Sequence, residues 1–389
     1  MNNIYLDHSA TTAVRPEVLE AMWPFFSQLY GNPSSVHSYG AGPHEALERA
    51  HAAVASVLGC RPGEIIFTGG GTEADNLAVL GVARAVRTRR PEARLHVITS
   101  QIEHDAVLNA CRQLEREGFR VTYVPVNRAG FVELAALESA LDDETMLVSI
   151  MLANNEIGTI QPISEISRLA HGRGALVHTD AVQAAGVMDL DVARLGVDLL
   201  SVSAHKLYGP KGVGALYLRR GTPVSPLIHG GGQERDRRSG TENVPGVVGL
   251  AVSLALAEGE RATEVQRLTG LRDRLIDGVL DRVPSAHLTG HRTQRLPGHA
   301  SFYLEGVTGE SVLVNLDIAG VACSSGSACQ AGSTEPSHVL TAIGLPPEHA
   351  KNGLRMTLGR ENTGADIDYV VDILPGIVEE LRSGIAAPV

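Results

Sequence analysis

The sequence predicts an α/β protein whose large domain is built on a seven-stranded, mostly parallel sheet, with a smaller α+β domain. Three observations predict this fold. The chain has 389 residues, which is enough for about two to three domains of ordinary size. Short apolar runs of strand length recur between residues 64 and 218. Helix-period segments separate most of these runs, as in right-handed strand–helix–strand crossovers of a parallel sheet.

The seven predicted strands are continuously apolar, which is typical of strands that are covered on both faces. They are EIIF (64–67), LHVITS (95–100), VTYVPV (121–126), TMLVSIM (145–151), ALVH (175–178), VDLLSVS (197–203) and GVGALYL (212–218). Before them, residues 43–59 predict a helix with one apolar stripe, formed by Leu47, Ala50, Val54 and Leu58.

The character of the sequence changes after residue 243. A long helical stretch at about 246–283 leads into a region of mixed helix and strand patterns. We therefore expect a large domain formed by residues 16–258. Residues 1–15 and 259–389 are expected to form the small domain.

Composition excludes several classes of protein. Lys and Arg number 33 against 44 Asp and Glu, a formal net charge of −11, so direct nucleic-acid binding is not expected. No apolar run approaches the ~20 residues of a membrane span, and MNNIYLDHSATT does not resemble a secretory signal. The chain has 4 Cys and no CxxC pair, too few for a disulfide framework. We expect a cytoplasmic protein without a metal site.

A glycine-rich segment, TGGGTEADN (68–76), follows the first predicted strand and begins a helix. Gly71 lets the backbone approach a ligand closely, and Thr72 offers an N–H and a hydroxyl to a phosphate. The alternative is a glycine-rich turn in which Thr72 caps the helix. The segment is neither GxGxxG nor a Walker A loop.

Polar residues also follow two later strands. Asp180 ends the strand of ALVHTDAVQ (175–183), where it either caps the next helix or keeps a cofactor ring nitrogen protonated. SVSAHKLYGPKG (201–212) carries Lys206 and Lys211. Either lysine could form a Schiff base with an aldehyde, or remain a solvated loop lysine. A phosphate cradle, an acid and a Schiff-base lysine at strand ends are what pyridoxal phosphate requires.

With these motifs the chain resembles a cysteine desulfurase of the NifS/IscS family, in class V of the fold-type I pyridoxal-phosphate enzymes. The resemblance runs from YLDHSATT (5–12) to LRMTLGR (354–360), nearly the whole chain. Further matching motifs are GNPSSVH (31–37), TGGGTEADN, EH (103–104), NNEIG (154–158), HTDAVQ (178–183), SAHKLYGPKG, RSGTEN (238–243) and SSGSAC (324–329).

The resemblance implies a role for each matching residue. Lys206, rather than Lys211, would carry the cofactor, because it directly follows the matched histidine. Asp180 would pair with the ring nitrogen, and His104 would stack on the ring and assist proton transfer. The remaining cofactor contacts would come from Gln183, Asn155, Gly71, Thr72, Ser203, His205 and Thr241.

The resemblance also implies which residues bind the substrate, accept the sulfur and contribute to subunit assembly. Arg355, with Asn155, would bind the substrate, Arg355 gripping its carboxylate through a planar guanidinium. Cys329 lies in SSGSACQAGS, a segment of small residues where a structural cysteine has little to pack on. It would accept the substrate sulfur as a persulfide. Thr241 would reach the phosphate of the other subunit, which implies a homodimer.

The implied reaction converts L-cysteine to L-alanine and passes sulfur to an acceptor protein, such as an iron–sulfur scaffold. Selenocysteine lyase or a related class V lyase is the enzymatic alternative. A non-catalytic scaffold with the same fold is the alternative from another class. Cys323 is expected to be a spectator, with a regulatory disulfide or a contact to a transferred cluster as the alternatives. Cys60 and Cys111 are assigned no function.

Overall fold

The structure is a computed structural model that describes residues 3–91, 95–326 and 336–384. The strands are β1 (Ile4–Tyr5), β2 (Ile65–Thr68), β3 (His96–Ser100), β4 (Arg120–Val124), β5 (Thr145–Ser149), β6 (Leu176–Asp180), β7 (Leu199–Ser203), β8 (Gly214–Leu218), β9 (Ala286–Leu288), β10 (His299–Leu304), β11 (Val321–Ala322) and β12 (Gly353–Thr357). The α-helices are Pro16–Met22, Pro24–Ser27, Ser38–Leu58, Gly71–Asn76, Val82–Arg89, Asp105–Arg116, Leu134–Ala140, Ile163–His171, Val192–Leu195, Val244–Arg282, Gly309–Ile318, His338–Ala342, Pro347–Ala350 and Gly364–Ser383.

The large sheet has seven strands in the order β2-β8-β7-β6-β5-β3-β4. The β3–β4, β3–β5, β5–β6 and β6–β7 pairs are parallel, and β8 is antiparallel to both of its neighbours. All seven apolar runs therefore form strands of one mostly parallel sheet, and the predicted fold class is confirmed.

Alternating side chains of these strands pack into two different cores. Ile65 and Phe67 of β2 belong to a core that includes the helix Ser38–Leu58. Ile66, between them, belongs to the core on the opposite face. Because successive strand side chains point to opposite faces, a strand covered on both sides must be apolar throughout.

The helix before β2 begins at Ser38 rather than at Pro43, where the sequence pattern suggested. Pro43 therefore lies inside the helix, where a proline provides no N–H for the ladder of hydrogen bonds. The stripe of Leu47, Val54 and Leu58 is buried against the sheet.

A second, smaller part of the structure is built from segments near the two ends of the chain. Strands β12-β10-β9 form a three-stranded antiparallel sheet, and β1 pairs with β11 in parallel. The helix Gly364–Ser383 packs against this part through a third core, which also holds Leu6 and Phe302.

The helix Val244–Arg282 connects the two parts. Its first half contributes Leu250 and Leu254 to a large-sheet core, and its second half contributes Leu275 and Val279 to the third core. The expected domain boundary at residue 258 falls inside this helix, and the domain division stays a prediction. Among the helices described, none is long and apolar enough to cross a membrane.

Candidate active site

Strands that run in the same direction bring most of the predicted residues to one edge of the large sheet. Ligands of open α/β sheets bind at this carboxyl edge. The edge borders a cavity of about 210 Å³. The cavity is lined by Ser9, Ala10, Gly71, Thr72, Asp75, His104, Met151, Asn155, Asp180, Val182, Gln183, Ser203, His205, Lys206 and Arg355. The lining includes every predicted cofactor and substrate residue except Thr241.

The glycine-rich turn after β2 forms one wall. Gly70 has φ +150° and ψ −178°, a backbone conformation that residues other than glycine rarely adopt. The side chain of Glu73 accepts a hydrogen bond from Gly69 N at 2.7 Å and pairs with Arg238 Nε at 2.9 Å, which fixes the turn. Gly70, not Thr72, occupies the N-cap position of the helix, so the capping alternative for Thr72 is wrong.

Two buried carboxyl groups lie together beneath the cavity. Asp180 ends β6, and its Oδ1 accepts a hydrogen bond from Val182 N at 2.8 Å. Burial raises the pKa of Asp180, and burial together with the neighbouring Asp180 charge raises the pKa of Asp75. Asp75 Oδ1 is 3.6 Å from His178 Nε2, and burial lowers the pKa of His178 to about 3, so that ring is neutral. Because burial favours the neutral form of Asp180, a cation placed beside this carboxyl would be needed to favour its ionised form.

Lys206 lies in a short 3₁₀ turn directly after β7. Its Nζ donates hydrogen bonds to Ser9 O at 2.6 Å and Ala10 O at 2.7 Å. Lys211 instead lines an adjoining open depression with Gly70 and Thr72. Burial, with the charges of Lys206 and Lys211, lowers the pKa of His205 to about 4, so its imidazole is neutral at pH 7.

Three more predicted residues are held by hydrogen bonds to the protein. His104 caps the helix Asp105–Arg116, its Nδ1 accepting a hydrogen bond from Ala106 N at 3.1 Å. A neutral His104 therefore carries its proton on Nε2. Gln183 Nε2 donates to Ser9 O at 3.0 Å. The backbone carbonyl of Asn155 accepts from Arg355 Nη1 at 3.0 Å and lies 3.1 Å from His299 Nε2.

Arg355 reaches the cavity from β12 and is only 2% exposed. Its Nη2 is 2.7 Å from Asp7 Oδ1. The predicted carboxylate-binding group thus already contacts a carboxylate of the chain. A planar guanidinium can bind carboxylates through two parallel hydrogen bonds.

One predicted residue lies outside this cavity. Thr241 is exposed and outside the cavity lining. Cys329 lies outside the described residues. Cys323 follows β11, and burial raises the pKa of its thiol to about 12, as it also does for Cys60 and Cys111.

Sequence reasoning missed several residues of this site. Asp7 belongs to YLDHSATT and Asp75 to TGGGTEADN, both matching motifs, yet neither received a role. Glu103 precedes His104 and is buried, and burial raises the pKa of its carboxyl to about 8. Motif membership was the only available signal for Asp7 and Asp75, since their partners are distant in sequence.

Comparisons with known proteins show the family to which the chain belongs. The aminotransferase class-V family model matches residues 4–370. A cysteine desulfurase IscS from Dictyoglomus turgidum is 50% identical over 380 residues, covering 98% of this chain and 95% of the relative. A solved NifS-like protein superposes with a TM-score of 0.90 at 39% identity, covering 97% of this chain and 99% of its own. The structure of SspA in complex with cysteine superposes with a TM-score of 0.80 at 37% identity. The match covers 91% of this chain and 98% of the SspA chain. The chain belongs to the aminotransferase class-V family and, within it, to the NifS/IscS group of cysteine desulfurases.

Proposed function

We propose that this chain is a pyridoxal-phosphate-dependent cysteine desulfurase, which converts L-cysteine to L-alanine and takes up the sulfur on Cys329. The observation that carries the proposal is the meeting of Lys206, Asp180 and Arg355 at one cavity. An amine, a buried acid and a guanidinium are the groups needed to hold an aldehyde cofactor and an α-amino acid. The similarity to cysteine desulfurases over nearly the whole chain supports the same reaction.

The residues around the cavity fit pyridoxal phosphate. A Cβ built on Gly71 would come within 2.9 Å of Val182 Cγ2 and 3.5 Å of Ser203 Cβ. Glycine therefore keeps this narrow wall open for a phosphate group beside Thr72 and Ser203. Asp180 would hold the ring nitrogen in its protonated form, and His205 and Gln183 would contribute further contacts. Thr241 would contribute a contact across the dimer interface.

The bound cofactor would supply the electron sink that makes both the Cα–H and the C–S bonds of the substrate labile. Arg355, with Asn155, would bind the substrate carboxylate and orient the amino acid. Lys206 Nζ would remove the proton from Cα, and His104 Nε2 would assist proton transfer.

The sulfur step uses the thiolate of Cys329, because a thiolate and not a thiol is the nucleophile. Its Sγ attacks the substrate sulfur, so an S–S bond forms as the C–S bond breaks. The electron pair of the broken bond remains on the carbon fragment, which takes up protons and leaves as L-alanine. Cys329 is left as a persulfide.

A homodimer is part of the proposal. Large apolar side chains, each at least half exposed, are concentrated between residues 19 and 39. This apolar surface consists of Leu19, Trp23, Phe26, Tyr30, Val36 and Tyr39. Concentrations of exposed apolar side chains mark interaction sites. A second copy of the chain would cover the surface, and Thr241 would reach the phosphate site of that copy.

The persulfide would be passed to a sulfur-acceptor protein, such as an iron–sulfur scaffold, in the cytoplasm. The low cysteine content and the net charge of −11 support a location in a reducing compartment and a protein rather than a nucleic-acid partner.

The test is product analysis with purified holoenzyme, L-cysteine and a reductant. We expect equal amounts of alanine and sulfide from the wild type. Lys206→Ala should lose the visible absorbance of the lysine-bound cofactor, and Cys329→Ala should keep that absorbance but release almost no alanine. Cys60→Ala is the matched control and should retain activity. Pyruvate in place of alanine would contradict the proposal, and alanine only from selenocysteine would favour selenocysteine lyase.

A further inference from the structure

Asp7 forms an ion pair with Arg355 that is almost shielded from solvent. The side chain of Arg355 is 2% exposed and that of Asp7 is 17% exposed, with 2.7 Å between Nη2 and Oδ1. Burying an unpaired guanidinium is costly, so a partner carboxylate stabilises the folded protein. The same guanidinium is the proposed binding group for the carboxylate of the substrate.

Only some of the hydrogen-bond donors of the Arg355 guanidinium have a partner among the described residues. Nη2 contacts Asp7, Nη1 donates to Asn155 O at 3.0 Å, and Nε is buried without a hydrogen-bond partner within the described part of the chain. Asp7 Oδ1 therefore accepts from Nη2 and leaves the Nε donor of the Nε–Nη2 edge unsatisfied. A carboxylate that binds this edge with both oxygens would satisfy both donors.

The backbone of Asp7 is held while its side chain has a route to solvent. Asp7 O accepts hydrogen bonds from Tyr5 Oη at 3.0 Å and Ala10 N at 2.9 Å. Arg355 is fixed at its backbone as well, through hydrogen bonds in both directions with Ser324. Rotation of the Asp7 side chain can thus break the pair without moving the backbone of either residue.

We propose that the Asp7 carboxylate occupies the binding position of the substrate carboxylate on Arg355 before the amino acid binds. The carboxylate of the bound amino acid then displaces Asp7 from Arg355. The inference rests on the proposed function, in which Arg355 binds that carboxylate. Asp7 then acts as a positioning and specificity residue. A ligand with a carboxylate can replace the lost pair, whereas an amine without one cannot.

The first test compares holoenzyme of the wild type and of Asp7→Asn, with L-alanine as the probe. L-alanine carries the amine and carboxylate of the substrate but no sulfur, and its binding is followed by the absorbance of the bound cofactor. We expect roughly tenfold tighter binding by the variant, because a site that is competent one tenth of the time binds tenfold more weakly. Binding of cysteamine, which has no carboxylate, should change little. Equal or weaker binding of L-alanine by the variant would overturn the proposal.

Thermal unfolding adds a second readout. Asp7→Asn should lower the melting temperature of the holoenzyme, since Arg355 loses its charged partner. Saturating L-alanine should raise the melting temperature of the variant more than that of the wild type. If L-alanine raises both by the same amount, Asp7 is only a structural partner and the proposal is wrong.

A crystal structure of the wild-type holoenzyme with L-alanine tests the idea without a variant. The Asp7 and Arg355 side chains should be separated, with the ligand carboxylate on Nε and Nη2. An intact Asp7–Arg355 contact beside the bound ligand would overturn the proposal. These measurements detect ligand binding alone, so a failure of the desulfurase assignment would appear separately, in the product analysis.

Discussion

Glu103 is a buried acid whose protonation contributes to stability. Met151 N donates to its Oε2 at 2.9 Å, and Ser100 Oγ donates to its Oε1. Burial raises the pKa of its carboxyl from 4.5 to about 8. An unfolded chain therefore releases this proton near pH 4.5 while the folded chain keeps it until about pH 8. Between these values each rise in pH favours the unfolded state, and above them the effect is constant.

Glu103→Gln is expected to remove this pH dependence. The neutral amide keeps an acceptor for Met151 N and has no proton to lose. The free energy of unfolding of the variant, relative to that of the wild type, should rise between pH 5 and pH 8 as the wild type loses stability, by an amount on the order of a few kcal/mol at most. Thermal unfolding at a series of pH values measures it. Parallel curves for the two proteins would contradict the raised pKa.

The long helix Val244–Arg282 offers a test at the scale of one element. Among the described residues, no atom beyond the adjoining residues and the local helix backbone lies within 4 Å of a Cβ built on Gly270. A Cβ on Gly278 would lie 2.7 Å from Val371 Cγ1 and Cγ2. Gly270→Ala should stabilise the protein by roughly 0.5–1 kcal/mol, because alanine loses less conformational entropy in a helix. Gly278→Ala should destabilise it, since Val371 of the helix Gly364–Ser383 must shift.

The two variants control each other, because both make the same substitution in one helix. Thermal unfolding should shift by about 1–3 °C per kcal/mol for a chain of this size. Opposite shifts support the packing of this helix against Gly364–Ser383. A rise in the melting temperature of both variants would contradict it.

At the scale of the whole molecule, the apolar surface predicts the assembly. The wild type should have a solution mass of twice the 41.1 kDa of one chain. Trp23→Ser combined with Phe26→Ser should yield monomers, because it removes two apolar groups that are 68% and 60% exposed. Ile318→Ser, at an apolar residue of another helix that is 77% exposed, should leave the mass unchanged. Light scattering after size exclusion measures all three, and a monomeric wild type would contradict the dimer.

The parts of the molecule that sequence predicts well are those set by local pattern. All seven strands were identifiable because strands covered on both faces are apolar at every residue. Asp180 and Ser203 end such strands, so their place at the carboxyl edge followed from the pattern. The start of the helix at Ser38 was missed because the apolar stripe that predicted the helix begins only at Leu47.

Contacts between distant segments could not be predicted. Asp7 and Arg355 are separated by 348 positions, and no periodicity connects them. The proximity of Asp75 to Asp180 depends likewise on how the helix Gly71–Asn76 packs on β7 and β8. The matching motifs predicted roles for Arg355 and Asp180 but not for their neighbours Asp7 and Asp75, because a motif specifies residue types and not contacts.

The proposed reaction passes sulfur from L-cysteine to Cys329. The most direct measurement is a single turnover of holoenzyme with one equivalent of L-cysteine and no reductant, followed by alkylation, digestion and mass spectrometry. We expect one alanine per subunit and one added sulfur atom on the peptide that contains Cys329. Pyruvate as the product, or the added sulfur on Cys60, Cys111 or Cys323, would contradict it.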